Sequence, residues 1–302
     1  MRSCSAADFM IDLSIIVCTR NRVDTLFFCL QSIQTSVAAQ GKVEVELLVI
    51  DNNSTDNTAA FVQDWQKSAI VKLHLLRAER AGLSEARNVG LRHADGRLIA
   101  FTDDDCRVAA DYVEQIAAAY DDDHAPVIRG GRVELGDPRD LPFTIKTDLE
   151  RQEFFGGNPG GFIHGCNLTM TRTAVDRVGM FDVRFGAGKM IGAAEDTDYV
   201  YRAHRAGIRV FYDPAIVVYH HHGRRDIAEV RRLQSVYDMA DGALYAKYVL
   251  GDWKLFRHIA RLGRDLCREF LKGARAHEFK NSCRQVLWDN LRGAWRFWWD
   301  VR

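Results

Sequence analysis

The sequence predicts an α/β fold in which a mostly parallel sheet is flanked by helices, with a helical extension at the C-terminal end. Three observations favour it. From residue 12 onward, short runs rich in β-branched residues alternate with segments of helical periodicity, which is typical of βαβ units. Polar residues follow several of these runs directly, and the last quarter of the chain changes to a basic, Trp-rich helical pattern. The 302 residues suffice for one large domain or for a domain with an appendage.

The first two strands are predicted where apolar runs end in polar loops. Residues 13–18 form the first run, and a loop over residues 19–22 follows it. A helix opened by Asp24 comes next, because apolar residues recur on one of its faces, namely Leu26, Leu30 and Ile33. Residues 45–50 form the second strand, which ends at Asp51 in a segment of Asx residues that favour turns and helix caps.

The next unit ends in the most informative feature of the chain. Residues 71–76 are predicted as a third strand, residues 82–94 as a helix and residues 98–102 as a fourth strand. The triplet Asp103-Asp104-Asp105 follows this strand directly. Three adjacent carboxylates repel one another unless a cation or a ligand joins them.

The acid triplet predicts a metal site. An Asp-x-Asp pair of hard oxygen ligands suits Mg²⁺ or Mn²⁺, which commonly bridge two carboxylates to the phosphates of a nucleotide. A solvated acidic turn is the alternative. The sheet pattern favours the metal site, because Thr19, Asp51 and Asp103 would lie at the carboxyl ends of separate strands and face one crevice.

The two common phosphate-binding loops are absent from the sequence. No Gly-x-Gly-x-x-Gly follows the first strand, and no Gly-x-x-x-x-Gly-Lys-Ser/Thr occurs. A bound phosphate would therefore be held by a metal ion and by side chains.

A second acidic segment and a histidine run precede the last quarter. After a short strand predicted at residues 168–171, Glu195-Asp196-Thr197-Asp198 opens a helix that ends at Gly207, although acids in a first turn often only cap the helix. Two more strands are predicted at residues 209–212 and 215–219, and the second ends in His220-His221-His222. Alternation puts the first and third of these histidines on one face. The run is either plain surface or the completion of a metal site begun by carboxylates.

Composition excludes several functional classes. Lys plus Arg equals Asp plus Glu at 41 each, so no global field indicates a nucleic acid partner. The seven Cys residues are scattered without a Cys-x-x-Cys pair, which argues against a disulfide framework or a structural zinc site and fits a reducing cytosol. Neither a signal peptide nor a membrane-spanning run is indicated, so a cytoplasmic location is expected.

The segment 253–302 predicts basic amphipathic helices. Its apolar residues recur at helical spacing, beginning with Leu255, Ile259, Leu262, Leu266 and Phe270, while Lys and Arg recur on nearly the opposite face. The segment holds 12 Lys and Arg against 5 Asp and Glu, a net charge of +7, and four of the six Trp residues lie near its end. These helices either pack on the preceding domain or dock on anionic lipid.

Taken together, these motifs resemble family 2 glycosyltransferases of the GT-A fold over roughly residues 12–225. The matching segments are Ser14-Ile15-Ile16-Val17-Cys18-Thr19-Arg20-Asn21-Arg22, Val49-Ile50-Asp51-Asn52-Asn53-Ser54-Thr55-Asp56, Gly82-Leu83-Ser84-Glu85-Ala86-Arg87-Asn88-Val89-Gly90, the DXD-like Asp103-x-Asp105, Gly179-Met180-Phe181-Asp182 and Glu195-Asp196-Thr197-Asp198. The resemblance implies a Rossmann-like nucleotide-sugar domain over residues 12–225. A C-terminal helical region over residues 226–302 has no comparable match.

The resemblance also implies how a nucleotide would be held. Asp51 would contact the base or ribose, with Thr19 and Arg20 beside it. Arg80 or Arg87 would lie nearer the phosphates. The border of the ribose would be formed by Asp103 and Asp104.

The metal and catalytic residues follow from the same resemblance. Asp105 would bind a divalent cation, Mn²⁺ or Mg²⁺, together with Asp103 and with His220 as the later ligand, while His222 on the same strand face is the alternative. Asp196 would be the catalytic base, with Glu195 beside it. The family usually has a small residue between its two Asp residues, where this chain has Asp104, so the pair that touches the cation stays open.

The implied function is transfer of a hexose with inversion. The donor would be a nucleoside-diphosphate sugar, with a UDP-sugar expected, and the acceptor a hydroxyl of a glycan or of a lipid-linked glycan in bacterial polysaccharide or glycoconjugate synthesis. Peripheral contact with the inner face of the cytoplasmic membrane through residues 253–302 would fit such an acceptor.

Two other functions use similar residues. A sugar-phosphate nucleotidyltransferase could also use a parallel sheet and paired Asp residues, but it would be expected to carry a glycine-rich loop after the first strand, where Thr19-Arg20-Asn21-Arg22 has no glycine. A non-catalytic protein that binds sugar nucleotides is the third reading. The retention of both acidic segments favours an enzyme over it.

Overall fold

The structure is a computed structural model that describes residues 11–121, 123, 125–252, 255, 257, 259–260, 263–264 and 281–299. The strands in this part of the chain are β1 (Leu13–Thr19), β2 (Val45–Asp51), β3 (Lys72–Arg77), β4 (Leu98–Asp103), β5 (Cys106–Val108), β6 (Val127–Leu135), β7 (Gln152–Glu153), β8 (Asn167–Thr171) and β9 (Arg209–His220). The helices are α1 (Val23–Ala38), α2 (Thr58–Gln66), α3 (Leu83–His93), α4 (Tyr112–Ala119), α5 (Arg172–Val178), α6 (Glu195–Arg205), α7 (Ile227–Tyr248) and α8 (Cys283–Trp299).

One half of the sheet is parallel, as the alternating pattern predicted. The strands β3, β2, β1 and β4 lie side by side in this order and run parallel to one another. The chain passes through α1, α2 and α3 between successive strands, which is the βαβ arrangement. The carboxyl ends of these four strands therefore lie along one edge.

The other half of the sheet is mixed. β8 pairs antiparallel with both β4 and β6, β6 runs parallel to β9, and β9 pairs antiparallel with β5 and β7. The predicted α/β fold class is confirmed, but the sheet is less parallel than expected. The reason is that the regular βα alternation stops after β4, so later strands return to the sheet in either direction.

The last two predicted strands are a single strand, β9. Pro214 cannot donate a hydrogen bond to a neighbouring strand, so the sequence pattern broke at this point. The register of β9 against β6 shifts between Gly131 and Arg132, whose partners are Asp213 and Val217. This irregularity takes up the extra residues, and β9 continues to His220.

Two apolar layers cover the sheet on its two faces. In β1, Leu13, Ile15 and Val17 belong to the cluster that includes α1 and α4, while Ile16 and Cys18 belong to the cluster that includes α3, α5 and α6. The predicted apolar face of α1 is buried at Leu26, Leu30 and Ile33. Because helices cover both faces of the sheet, the carboxyl edge of the strands is the natural position for a binding site.

The helices α7 and α8 pack against each other and against a third apolar cluster. This cluster joins Phe185 and Ile191 to Ala240, Ala243 and Phe297. The two helices approach closely at two glycines, because a Cβ on Gly293 would overlap the Met239 carbonyl oxygen and one on Gly242 would overlap the backbone of Asn290.

The buried carboxylate of Asp198 fastens α7 to α6. Its Oδ1 accepts hydrogen bonds from Lys247 Nζ at 2.6 Å and from the Tyr248 hydroxyl at 2.7 Å, while its Oδ2 accepts one from Arg202 Nε at 2.8 Å. Asp182 also binds Lys247, at 2.7 Å. The predicted domain boundary at residues 225 and 226 falls between the end of β9 and the start of α7 and stays a prediction.

Most of the predicted amphipathic helix from Leu255 to Phe270 lies outside the described residues. Among the helices that the structure describes, none combines the length and the apolar character needed to cross a bilayer.

The close approach of α7 and α8 predicts a stability difference between two glycine variants. Gly293→Ala should lower the free energy of unfolding by about 1–3 kcal/mol, because the added methyl group forces the two backbones apart. Gly251→Ala is the matched control, since a Cβ there meets nothing within 4 Å. Urea unfolding followed by circular dichroism measures both, and equal stability of the two variants would contradict the described packing.

Candidate active site

The predicted crevice residues lie side by side at the carboxyl edge of the sheet. Thr19 is paired with Asp51 across β1 and β2, and Cys18 is paired with Asp103 across β1 and β4. Thr19 and Asp51 are buried, and Asp51 accepts a hydrogen bond from the Ser54 amide at 2.8 Å. Parallel register therefore brings together residues that are far apart along the chain.

The carboxylates of the acid triplet contact several side chains, and two of the carboxylates share Arg22. Asp103 lies 3.5 Å from Arg87 Nη2. Asp104 is buried and accepts hydrogen bonds from Thr19 Oγ1 at 2.8 Å and Arg22 Nη1 at 3.0 Å. Asp105 accepts a second bond from the same Arg22 nitrogen at 3.0 Å. Arg22 thus bridges two neighbouring acids, and its single positive charge offsets one of their two negative charges.

The electrostatics separate Asp104 from Asp105. Burial raises the pKa of Asp104 to about 6, although Arg22 opposes the shift. Burial also disfavours ionised Asp105, but the hydrogen bond and charge of His220 outweigh it and lower the pKa of Asp105 to about 2. Asp105 is therefore the carboxylate of this pair that is fully ionised at neutral pH.

His220 faces Asp105 across the crevice. Its Nε2 lies 3.4 Å from Asp105 Oδ1, and His220 on β9 pairs with Cys106 on β5. Burial lowers the pKa of His220, but Asp105 outweighs burial and raises that pKa to about 9. His222, the alternative ligand, lies instead 3.9 Å from Asp140, and burial lowers its pKa.

The atoms around Asp105 form a candidate cation site. A carboxylate oxygen of Asp105, the Cys106 sulfur and a ring nitrogen of His220 lie within 4.8 Å of one another. Burial raises the pKa of the Cys106 thiol well above its usual value, so this sulfur stays protonated and is a poor ligand. The carboxylate fits a borderline-to-hard cation such as Mn²⁺, and the imidazole fits it once the cation has displaced the proton that Asp105 stabilises on His220.

Arg87 joins the acid triplet to α6. Its guanidinium lies against the rings of Phe101 and Phe181, at 5.7 and 5.5 Å from ring centroids that are themselves 5.5 Å apart. Nη1 donates to Glu195 Oε1 at 2.8 Å, while Nη2 faces Asp103. The side chain is only 2% exposed, so Arg87 binds these acids rather than presenting a free cation to the crevice.

The Glu195-Asp196 pair begins α6 in a constrained backbone. Ala194, directly before it, has a φ of 65°, which is unusual for a residue with a side chain. Asp196 Oδ2 accepts a hydrogen bond from the Gly165 amide at 2.7 Å, and Oδ1 accepts one from the Thr197 amide at 2.7 Å. Burial raises the pKa of Glu195 to about 7 despite the charge of Arg87.

The sequence did not single out Arg22, Gly165 or Tyr237 as site residues. A side chain at Gly165 would crowd Arg87 and Asp196. The Tyr237 ring stacks on Phe143 with centroids 5.9 Å apart. Burial is the main cause of the raised pKa of the Tyr237 hydroxyl, and the charges of Asp196 and Glu195 raise it further. The basic loop after β1 indicates a cation, but only the fold shows that Arg22 contacts the acids, since Arg20 and Arg22 are both exposed. Arg80, in the loop after β3, is also exposed.

Comparison with known proteins identifies the family. The family model "Glycosyl transferase family 2" matches residues 14–179, more than half of the chain. The chain belongs to glycosyltransferase family 2. The match begins in β1 and ends at Gly179, directly after α5. Glu195, Asp196 and His220 lie beyond it.

Two relatives that match part of the chain are informative. The chain is 30% identical over 121 residues to the poly(ribitol-phosphate) β-N-acetylglucosaminyltransferase TarS of Staphylococcus aureus, across 39% of this chain and 20% of that protein. It is 43% identical over 72 residues to WfgD of Escherichia coli, a UDP-Glc:α-D-GlcNAc-diphosphoundecaprenol β-1,3-glucosyltransferase, across 24% of this chain and 27% of that protein. The matched segments thus span less than a third of either relative.

Solved structures share the fold. TarS residues 1–349 in complex with UDP-GlcNAc superpose with a TM-score of 0.56 at 20% identity, covering 80% of this chain and 68% of that one. The mannosyltransferase PcManGT from Pyrobaculum calidifontis, in complex with GDP-Man and Mn²⁺, superposes with a TM-score of 0.62 at 19% identity, covering 98% and 91%. The predicted GT-A fold is confirmed by both.

The buried position of Arg87 predicts a pH-dependent loss of stability. Arg87→Met leaves Glu195 without its cation and should lower the free energy of unfolding by about 3–5 kcal/mol at pH 8. The loss should shrink toward pH 5, where Glu195 is protonated and needs no cation. Because the folded pKa of Glu195 lies above its unfolded value, the folded state loses stability as pH rises through the folded pKa.

Urea unfolding at both pH values measures this effect. Arg92→Met is the control, since Arg92 lies on the same helix and is exposed. A loss that is the same at pH 5 and pH 8 would show that Arg87 contributes packing rather than charge.

Proposed function

We propose that this protein is an inverting, metal-dependent hexosyltransferase that moves a sugar from a nucleoside diphosphate to an acceptor hydroxyl. The observation that carries the proposal is the arrangement of two pairs at one edge of the sheet. Asp105 and His220 form one pair, and Glu195 and Asp196 form the other. Arg87 connects the two sides through its contacts with Asp103 and Glu195.

The donor nucleotide is assigned to the crevice along β1, β2 and β4. Asp51 and Thr19 border the base and ribose, and Arg20 and Arg80 are exposed cations in loops at the same edge. The UDP-GlcNAc bound to TarS and the GDP-Man bound to PcManGT support a nucleoside-diphosphate sugar, and we assign a UDP-sugar.

The acids at the end of β4 and Arg87 are assigned different roles near the ribose and the phosphates. Asp103 and Asp104 border the ribose, and Asp104 is held there by Thr19 and Arg22. Arg87, expected near the phosphates, is assigned a positioning role because acids surround its guanidinium.

Asp105 and His220 are assigned to the metal ion, with Asp103 next to them. The 3.4 Å between their ligand atoms lets one cation contact both, and His222 is disfavoured because it faces Asp140. Bound Mn²⁺ or Mg²⁺ would neutralise the negative charge that develops on the leaving β-phosphate. The Mn²⁺ present in the PcManGT complex supports this assignment.

Asp196 is assigned as the catalytic base. Amide N–H groups of Gly165 and Thr197 fix the orientation of its carboxylate, and its residue is only partly buried. The carboxylate accepts the proton of the acceptor hydroxyl as that oxygen attacks the anomeric carbon from the face opposite the diphosphate. One base and one displacement invert the anomeric centre. Glu195, beside Asp196, holds Arg87 in place.

The acceptor is assigned as a glycan or lipid-linked glycan in bacterial glycoconjugate synthesis. The diphosphoundecaprenol-linked acceptor named for WfgD supports this class. We assign a cytoplasmic location, with peripheral contact between residues 253–302 and the inner face of the membrane, because a net charge of +7 in that segment attracts anionic lipid.

Removing the proposed base should stop transfer while leaving the donor bound. Asp196→Asn should reduce kcat by about 10²–10⁴-fold, since the amide cannot accept the hydroxyl proton. Donor affinity, measured by calorimetry, should change no more than a few-fold. Asp176→Asn on the exposed face of α5 is the control. Loss of donor binding with Asp196→Asn would remove Asp196 from the base role, and release of pyrophosphate from sugar phosphate and nucleoside triphosphate would indicate a nucleotidyltransferase.

The two histidine candidates predict opposite effects on metal binding. His220→Ala should weaken Mn²⁺ binding in the presence of UDP by about tenfold or more, because one ligand is lost. His222→Ala should leave it nearly unchanged. Electron paramagnetic resonance of free Mn²⁺ measures both affinities. The reverse order of the two variants would transfer the metal ligand to His222, and full turnover after thorough chelation with EDTA would refute the cation assignment.

A further inference from the structure

The helix α8 carries an exposed apolar face that the glycosyl-transfer chemistry does not use. Six of its large side chains are 41–61% exposed, namely Leu287, Trp288, Leu291, Trp295, Trp298 and Trp299. At 100° per residue they fall within about 120° of the helix circumference. We call these six residues the tryptophan face.

The opposite side of α8 is fixed against the protein. Its buried residues are Asp289, Asn290, Gly293 and Phe297. Phe297 packs in the apolar cluster with Phe185, and Gly293 lies against the backbone of α7. The tryptophan face therefore points away from the residues of the body that the structure describes, and it cannot turn inward without losing these contacts.

The composition of this face suits the boundary between lipid headgroups and acyl chains. An indole ring has a large apolar surface and one N–H donor, which is why Trp is enriched at that boundary. Monomeric soluble proteins rarely expose a contiguous apolar patch of several large residues. Two of the rings, Trp295 and Trp299, already stack with centroids 5.3 Å apart.

The charges on α8 are complementary to an anionic surface. Arg284 and Arg292 are exposed, and the one acid of the helix, Asp289, has a side chain only 2% exposed and lies 3.6 Å from Arg292. A helix with apolar aromatic residues on one face and arginines beside them is the pattern of interfacial membrane helices.

We propose that the tryptophan face is the membrane-docking surface of this protein and that it inserts into the headgroup region of an anionic bilayer. Insertion of the indole rings supplies most of the binding, and the arginines add an electrostatic part. Binding should therefore weaken with salt but persist, in contrast to docking through the basic segment by charge alone.

The helix that carries this surface also contacts the proposed active site. Phe297, on the side of α8 opposite the tryptophan face, contacts Phe185, and Gly186 next to Phe185 lies against Glu195. Docking on a bilayer would therefore place α8 between the lipid surface and the Glu195-Asp196 pair. This inference rests on the proposed function, because a membrane location serves the transfer only when the acceptor is lipid-linked.

The test uses the full chain with two triple variants. Trp288→Ser/Trp295→Ser/Trp298→Ser removes rings from the tryptophan face. The matched control, Ile70→Ser/Leu149→Ser/Met190→Ser, removes three side chains that are 51–74% exposed elsewhere. Co-sedimentation with vesicles of phosphatidylcholine, with and without phosphatidylglycerol, measures partitioning at low and high salt, and brominated lipids report insertion by quenching Trp fluorescence.

The proposal expects the Trp variant to lose about tenfold or more in partitioning, with an unchanged melting temperature and unchanged thermal shift by UDP and Mn²⁺. The control should partition like the unmodified chain, and the unmodified chain should be quenched. Partitioning that is equal in both variants, or that disappears at high salt without quenching, would overturn the proposal. A dimer that the Trp variant dissociates, with no vesicle binding, would assign the face to a second copy of the chain instead. Loss of UDP binding by the unmodified chain would fail the proposed function while leaving the vesicle result valid.

Discussion

The candidate site depends on one buried cation. Arg87 is buried against two aromatic rings and binds Glu195 on α6 and Asp103 on β4, which are 92 residues apart in the sequence. Without it, two carboxylates in a region of low dielectric constant would repel each other, and burial would favour their protonated forms. The charge of Arg87 therefore holds α6, which carries the proposed base, next to the strand that leads into the acid triplet. The same guanidinium therefore contributes to the stability of the fold and to the relative position of the two acidic segments.

The parallel half of the fold and its edge were predictable because their signals are local. Apolar runs, helical periodicity and polar strand ends can be read within a few residues, and they located Thr19, Asp51 and the acid triplet. The contacts that complete the site are not local. The amide of Gly165 binds Asp196, and Lys247 binds Asp198, across 31 and 49 residues. No spacing in the sequence identifies such partners, since they depend on how α6 and α7 pack.

The same limit explains why β9 was predicted as two strands and why the arginines could not be told apart. Pro214 interrupted the strand pattern, while the register shift on β6 that accommodates it depends on a neighbouring strand. Arg87 and Arg22 are the same residue type as Arg20 and Arg80, but the fold buries Arg87 between β4 and α6, and it brings the half-exposed Arg22 to Asp104 and Asp105. Burial and tertiary contacts are properties of the folded chain, so composition alone could not separate these arginines.

The central claim is that Asp105 and His220 hold a divalent cation beside a nucleoside diphosphate, within the crevice that Asp196 also faces. Anomalous diffraction from crystals soaked with Mn²⁺ and UDP tests it most directly. The account predicts one strong manganese peak within coordination distance of Asp105 and His220, with the diphosphate on its open side toward Asp196. A peak at other acids, or a diphosphate bound away from α6, would contradict it.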